Sequence, residues 1–394
     1  MDVAALRADT PGCAHRIHLN SAGASLMPAP VLHAIRDHLT LESEIGGYEA
    51  AAAAHQAIQD TYQAVADLLD SQPENIAFTE HATASFVQAL SSIPFRSGDV
   101  LVTTRHDYVS NQIQYLSLAH RFGVEVVRVP DAPEGGVDLQ AMDEVIHRRR
   151  PRVVAVTHMP TNSGLIQDVA AIGRMCRARD VLYLVDACQT VGQMPVRPET
   201  LGCDFLSATA RKFLRGPRGS GFLWVSDRAL ASGLEPLFPD LRSADWVADD
   251  LYQAAPDAQR FETWEFAWAL VLGTGAAARY ATEVGLEGAA QRNAALAATL
   301  RTRLEELDGV RTLDRGPALG AIVTATVEGH HPSDIVAALR QRGINTSSQT
   351  RLDAVIDYDA KGTDGALRIS PHYFNTPDDA DALIEALADL IAAH

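Results

Sequence analysis

The sequence predicts an α/β protein: a large, mostly parallel sheet domain with helices on both faces, joined to a smaller α+β domain. Between residues 76 and 225, short apolar runs alternate with longer segments whose apolar residues recur at helical spacing. That alternation is what a parallel sheet buried on both faces requires. After residue 225 it stops, and residues 233–262 carry Pro236, Pro239 and two Asp-rich turns with little periodicity. With 394 residues and 47% hydrophobic composition, the chain has enough apolar material for one large and one smaller domain. The division is expected at residues 20–245 for the large domain and 1–19 plus 246–394 for the small one.

The elements follow in order. The polar, glycine-bearing segment 18–25 leads past Pro28 and Pro30 into a helix over 31–44, which Gly46-Gly47 ends. The alanine-rich stretch 48–69 reads as one long helix. A short strand at 76–79 runs into a helix that opens at 80–85 and continues to 90. Strands are then expected at 99–104, 124–129, 153–157, 181–185 and 221–225, with helices at 110–122, 139–147 and 169–179. Residues 233–262 read as an irregular crossing segment. Helices at 266–284, 288–307, 332–342 and 377–393 and strands near 322–327 and 367–370 complete the smaller domain.

Composition narrows the function. A formal net charge of −17 argues against nucleic acid or an anionic membrane as the main partner, although local basic residues still bind small anions. Cys13, Cys176, Cys188 and Cys203 show no CxxC spacing, so free thiols in a reducing cytoplasm are expected. Residues 1–7 lack a basic region followed by an apolar core, so no export signal is expected. No apolar run is long enough to span a bilayer. His330-His331 and the His15/His18 pair lack further ligands at metal spacing, so no metal site is expected. The glycine-rich loop 216–221 precedes a strand rather than opening a helix, which removes it as a dinucleotide loop, and no G-x-S-x-G elbow is present.

The chemistry concentrates in residues 181–212. An apolar strand ends on Asp186, and Lys212 follows Phe205-Leu-Ser-Ala and precedes a glycine-rich loop. In open α/β sheets ligands sit beyond the carboxyl ends of the strands, where His106, Tyr108, His158, Thr161, Asn162, Asp186 and Gln189 fall in this parse. A carboxylate and a desolvated lysine at that edge suit a cofactor that needs one protonated nitrogen and one covalent amine, as pyridoxal 5′-phosphate does. Gln189 would reach the ring oxygen. Ala82-Thr83, at a strand-to-helix junction, would offer backbone N–H groups and a hydroxyl to a phosphate; a simple capping threonine fits the same pattern. Thr209 and Arg211 flank the lysine on the same side, and Tyr108 would stack on the ring.

Six segments in this order resemble the class V aminotransferase family of pyridoxal phosphate enzymes: 79–84, 106–111, 157–164, 185–189, 207–221 and 367–375. The resemblance covers essentially the whole chain and implies the fold type I architecture of pyridoxal phosphate-dependent transferases in a cytoplasmic homodimer. It implies Lys212 as the lysine that joins the cofactor and moves the Cα proton, Asp186 on the pyridine nitrogen and Gln189 on the ring oxygen. Ala82, Thr83, Thr209 and Arg211 would bind phosphate, and Tyr108 matches the stacking aromatic. Arg368 matches the arginine that clamps the substrate carboxylate, with Asn20 to Ala22 closing over it. Either Thr161 or Asn162 falls where relatives place an asparagine near the ring.

Two departures qualify the resemblance. Cysteine desulfurases carry a nucleophilic cysteine ahead of the arginine motif, and residues 346–367 contain none; Cys188 abuts Asp186 and substitutes poorly. Glu265 stands where many relatives supply a threonine to the neighbouring subunit's phosphate. The expected function is therefore a C–S lyase that takes an amino acid as an external aldimine and eliminates a β-sulfur group. An epimerase or aminotransferase, a desulfurase without the loop cysteine, and a non-catalytic dimeric binding module are the alternatives. The substrate side chain would meet residues 44–48, 237–246, 346–362 and His372, with Trp246 and Trp264 nearby.

Overall fold

The computed structural model describes residues 1–392. Near the N-terminus lies the two-residue strand β1 (Ile17–His18), followed by a helix over Ala29–Ile45 that ends at Gly46, where φ is +98°. The next helix was expected to be continuous, but the chain forms two, Gly47–Ala53 and His55–Leu69, parted at Ala54. Alanine is the strongest helix former, so the local sequence carries no signal for that break.

Strands β2 (Ile76–Thr79), β3 (Val100–Thr104), β4 (Glu125–Val129), β5 (Val153–Thr157), β6 (Leu182–Asp186), β7 (Phe205–Thr209) and β8 (Gly221–Val225) form one sheet in the order β2-β8-β7-β6-β5-β3-β4. β8 runs antiparallel to both its neighbours, and the remaining pairs are parallel. β7 and β8 are joined by a loop without a helix, so the strand–helix alternation that locates the other strands does not flag β7.

Alternate residues of each strand face opposite layers, as the pleat requires. Phe222 and Trp224 pack with the helices His55–Leu69 and Trp268–Val284, while Leu223 and Val225 pack with Phe86, Leu90 and Phe261. The helix Trp268–Val284 therefore buries Val271, Leu272 and Ala276 to Ala278 in the large-sheet core. Its two internal glycines have a packing reason: a Cβ on Gly273 would stand 2.6 Å from Ile35, and one on Gly275 2.6 Å from Thr61.

Within the stretch read as irregular, the structure forms the hairpin β9 (Ala244–Ala248) and β10 (Leu251–Ala254), largely exposed. Strands β11 (Val310–Thr312), β12 (Val323–Val327), β14 (Ser347–Thr350) and β15 (Gly365–Ile369) make an antiparallel sheet in the order β11-β12-β15-β14. Between β12 and β14, the short strand β13 (Ile344–Asn345) pairs with β1, and Asn20 bridges to Ser370. These pairings place the N-terminal segment beside Arg368. Leu300, Leu339, Leu367 and Leu383 belong to the core under this sheet, with helices Leu286–Glu305, Pro332–Gln341 and Pro377–Ala392 around it. The helix expected over 377–393 is seen to Ala392, and Ala393 lies outside the described residues. Among the described residues no helix is long and apolar enough to cross a membrane, and no cluster of metal-binding side chains forms.

One glycine reports directly on the layer packing. Gly173, inside the helix Val169–Arg177, lies so close to Leu201 that an added Cβ would overlap the Leu201 carbonyl oxygen. A Gly173→Ala change, which stabilises an ordinary helix by about 1 kcal/mol, is expected here to destabilise by about 1–3 kcal/mol. Chemical denaturation checks the sign.

Candidate active site

A cavity of ≈ 280 Å³ opens at the carboxyl edge of the large sheet, beyond the ends of β5, β6 and β7. Its wall includes Ala82, Thr83, Tyr108, Thr161, Asp186, Gln189, Thr209, Arg211 and Lys212, all expected from the sequence. It also includes His81, Asn111, Thr157, Met159, Cys188, Arg218 and Gly219, which sequence reasoning did not assign to the site.

Lys212 follows β7 by three residues and is 7% exposed, with its ammonium 5.8 Å from the Tyr108 ring centroid. Burial is the main influence on its pKa and lowers it; Arg211 and Arg368 push the same way, while Asp186 opposes them. The result is a larger fraction of neutral, nucleophilic amine at neutral pH than an exposed lysine would have. The chain contains only two lysines. The other, Lys361, is paired with Asp357 at 2.6 Å.

Asp186, the last residue of β6, has both oxygens fixed. The Cys188 backbone N–H donates to one at 2.9 Å, and the Asn111 amide donates to the other at 3.1 Å. Across the cavity the helix Ala82–Ser91 begins, with the His81 ring capping the Ala84 N–H at 3.1 Å. The first amides of a helix have no intrahelical acceptor, so those of Ala82 and Thr83 suit an anion. Gly221 lets β8 pass close under them, because a Cβ there would lie 2.8 Å from the Ala82 nitrogen. Arg211 donates to the Gly23 carbonyl, and burial lowers its pKa.

Behind the wall, Arg368 donates to the Thr161 hydroxyl at 2.6 Å and to Asn20 at 3.3 Å. Gln189 uses its amide nitrogen on the Ala22 carbonyl and the Thr161 hydroxyl, both at 3.2 Å. Asn20, Ala22 and Arg368 thus support the cavity through Thr161 and Gln189 without forming its wall. Burial pushes the Arg368 pKa down to about 10, which leaves it charged at neutral pH.

Thr161 and Asn162 point in different directions. Thr161 faces the cavity, while Asn162 is turned away and donates to Asp357 at 2.6 Å. Asn162, expected beside the cofactor, does not line the cavity, and its amide donates to the helix Val355–Lys361 instead. His106 also points elsewhere, toward Asp131 and Asp357. His158 is fully buried with a pKa lowered to about 4, mainly by burial. Cys188 does line the cavity, but burial and then Asp186 raise its pKa, so it is held as a thiol.

A family model for class-V aminotransferases matches residues 17–383. The chain belongs to the class V aminotransferase family. It is 27% identical over 391 residues to a probable cysteine desulfurase of Methanothermobacter thermautotrophicus, covering 98% of this chain and 97% of that one. It is 29% identical over 379 residues to a probable hercynylcysteine sulfoxide lyase of Mycobacterium tuberculosis, covering 96% of this chain and 91% of that one. The fold matches the apo cysteine desulfurase of Thermococcus onnurineus NA1 with a TM-score of 0.91 at 24% identity, covering 99% and 98% of the two chains.

The cofactor of this class V enzyme is pyridoxal 5′-phosphate, and the residues present fit it. The cavity offers a desolvated amine, a fixed carboxylate, an aromatic face and a helix N-terminus flanked by Arg211. The Gln189 side-chain oxygen is buried without a partner among the described residues, as expected where a ligand completes the wall.

With two lysines, the site can be tested chemically. Borohydride reduction of the protein with pyridoxal phosphate at neutral pH is expected to tag Lys212 and leave Lys361 unmodified in the peptide mass map. Equal tagging of both would contradict the assignment.

Proposed function

We propose that the protein is a C–S lyase, which removes the sulfur-bearing group from Cβ of a small amino acid bound at this site. The observation that carries the reading is the wall around Lys212: Cys188 is its one cysteine, burial and Asp186 push that thiol's pKa up, and no second thiol lines the cavity. The segment ahead of Arg368 contains no cysteine and folds into β14, the turn Arg351–Asp353 and the helix Val355–Lys361. Asp357 ties that helix down through Asn162, and Tyr358 donates to Gln349 at 2.9 Å. The likeness to a sulfoxide lyase supports the same direction.

In this reading Lys212 holds the cofactor covalently, Asp186 its ring nitrogen, Tyr108 its ring face, and Gln189 with Thr161 the ring-oxygen side. Ala82, Thr83, Thr209 and Arg211 hold its phosphate. When bound there, the group supplies an electron sink for bonds at the substrate Cα. Arg368, held directly behind Thr161 and beside Asn20 with its buried Nε unpartnered among the described residues, is the cation assigned to the α-carboxylate, which would aim Cα at Lys212. Lys212, its charge disfavoured by burial, takes the Cα proton on Nζ.

We further propose a cytoplasmic homodimer in which the second copy covers the apolar face around Phe238 and Trp246, which are 82% and 80% exposed. Glu265, exposed where many relatives supply a threonine, offers no hydroxyl to a neighbouring phosphate. The division into residues 20–245 and 1–19 plus 246–394 is retained as the domain proposal, with the helix Trp268–Val284 as the element that joins them through its packing on the large sheet.

Incubation with S-substituted cysteines is expected to release pyruvate and a thiol without added keto acid. A requirement for a keto acid would mean transamination, and inversion at Cα alone would mean epimerisation. Lys212→Ala is expected to abolish the cofactor's visible absorbance band and lower turnover by about 10²–10⁴-fold. Cys188→Ala should retain most of the lyase activity; its complete loss would restore the desulfurase reading. Sedimentation should give a dimer, and a stable monomer at micromolar concentration would contradict the proposed face.

A further inference from the structure

Behind Asp186 lies a second buried carboxylate, Asp107, which sits past the end of β3. It accepts from five donors: the Thr103 hydroxyl at 3.0 Å, the Tyr108 backbone N–H at 2.7 Å, the Asn111 amide at 3.1 Å, the Gln112 amide at 3.2 Å and the Thr157 hydroxyl at 2.5 Å. The donors come from the ends of β3 and β5 and the start of the helix Val109–Phe122, so the group spans adjacent strand ends.

The connection to Asp186 is a single nitrogen. Asn111 Nδ2 lies 3.1 Å from Asp107 Oδ1 and 3.1 Å from Asp186 Oδ2, using its two hydrogens on two carboxylates. The reversed amide would set its oxygen against both carboxylates, three acceptors with no proton among them, so chemistry fixes the orientation. Thr157 is directional too. Its oxygen lies 3.4 Å from the Tyr108 N–H, which leaves its proton for Asp107. Burial raises the Asp107 pKa. The surrounding N–H groups nevertheless all point hydrogens at it, and an ionised carboxylate satisfies them where a carboxylic acid would not.

We propose that Asp107 and Asn111 are positioning residues for Asp186: Asn111 locks its carboxylate plane, and the Asp107 charge strengthens the hold of Asp186 on a protonated ring nitrogen. The inference rests on the assignment of Asp186 to that nitrogen. Asp186 has one oxygen pinned by the Cys188 N–H and the other by Asn111, so the plane cannot rotate without breaking a buried hydrogen bond. A second negative charge one amide away raises the proton affinity of whatever cation Asp186 faces, because the local dielectric is low. The other ionisable groups facing this pair are Lys212 and Cys188 beside Asp186, and Tyr115 behind Asp107. Neither positioning residue needs to touch the reacting atoms.

The test compares Asp107→Asn, Asp107→Glu, Asn111→Ala and Asp186→Asn, each confirmed as folded by its thermal melt. Two readouts are used: the affinity of the apo-protein for pyridoxal phosphate by equilibrium dialysis, and the alkaline limb of the kcat/KM–pH profile. Asn111→Ala and Asp107→Asn are expected to weaken cofactor binding tenfold or more. They should also move the alkaline limb to lower pH, because a nitrogen that must stay protonated loses its proton earlier. Asp107→Glu should recover much of both. If folded Asn111→Ala binds the cofactor within twofold of the unsubstituted protein and keeps its alkaline limb, the relay is overturned, and that variant decides the matter even if Asp107→Asn does not fold. If Asp186→Asn also changes neither readout, the assignment of Asp186 itself fails. If Asp186→Asn changes both readouts while the other variants change neither, only the relay fails.

Discussion

The site depends on one desolvated amine. Lys212 is buried at the end of β7 against the Tyr108 ring, with Arg211 and Arg368 close enough to disfavour its charge further. Elsewhere the chain carries its positive charge almost entirely on arginine, and it has only two lysines. Arginine cannot give up its proton near neutral pH, so a group that must act as nucleophile and base has to be lysine. The second lysine is tied into an ion pair on the helix Val355–Lys361. The rest of the fold supplies what that amine requires: a dry edge, a carboxylate in the next strand, and an anion-binding helix terminus opposite.

Holding this edge together falls to segments distant in sequence. β1 pairs with β13, Asn20 bridges to Ser370, and the Ala22 N–H donates to the Ser370 hydroxyl at 3.0 Å, so the N-terminal segment closes over Arg368. Just past the lysine, Arg215 is fully buried with a φ of +64°. It donates to Leu26, Thr10 and Tyr373 and lies over the rings of Tyr280, Tyr373 and Phe374. No carboxylate takes part in these contacts; carbonyl and hydroxyl oxygens and ring faces satisfy the guanidinium instead. Arg215 thereby ties the turn after Lys212 to both the N-terminal segment and the 372–375 loop.

Most of the parallel sheet was legible because strand and helix alternate, and the cavity wall followed because ligands gather at strand carboxyl ends. What the alternation could not reveal was β7, which connects to β8 without a helix, and the exposed hairpin β9–β10, whose pairing has no apolar pattern to announce it. Asp186 and Tyr108 could be placed from sequence because each sits at or just beyond a strand end, whereas Thr209 and Lys212 were placed by the glycine-rich loop that follows them and by the family resemblance. Asp107 and Asn111 stand in the same motif as Tyr108, but their role depends on a hydrogen bond from one helix across two strands to Asp186, which no local pattern encodes. The choice between Thr161 and Asn162 likewise required the Asp357 contact. The scarcity of lysine was a usable signal in the sequence from the start.

The proposed lyase reading departs from relatives named as desulfurases at the thiol. A persulfide route needs a thiolate free to approach the substrate, whereas the Cys188 thiol has its pKa pushed up by burial and by Asp186, to which its own backbone N–H donates. Because there are two lysines, the central claim can be measured directly: ¹³C-lysine labelling of the apo-protein gives two side-chain signals, and Lys212→Arg assigns one of them. The account predicts that the Lys212 signal titrates with a midpoint clearly below the ordinary lysine value. A Lys212 signal that titrates at or above that value would contradict it.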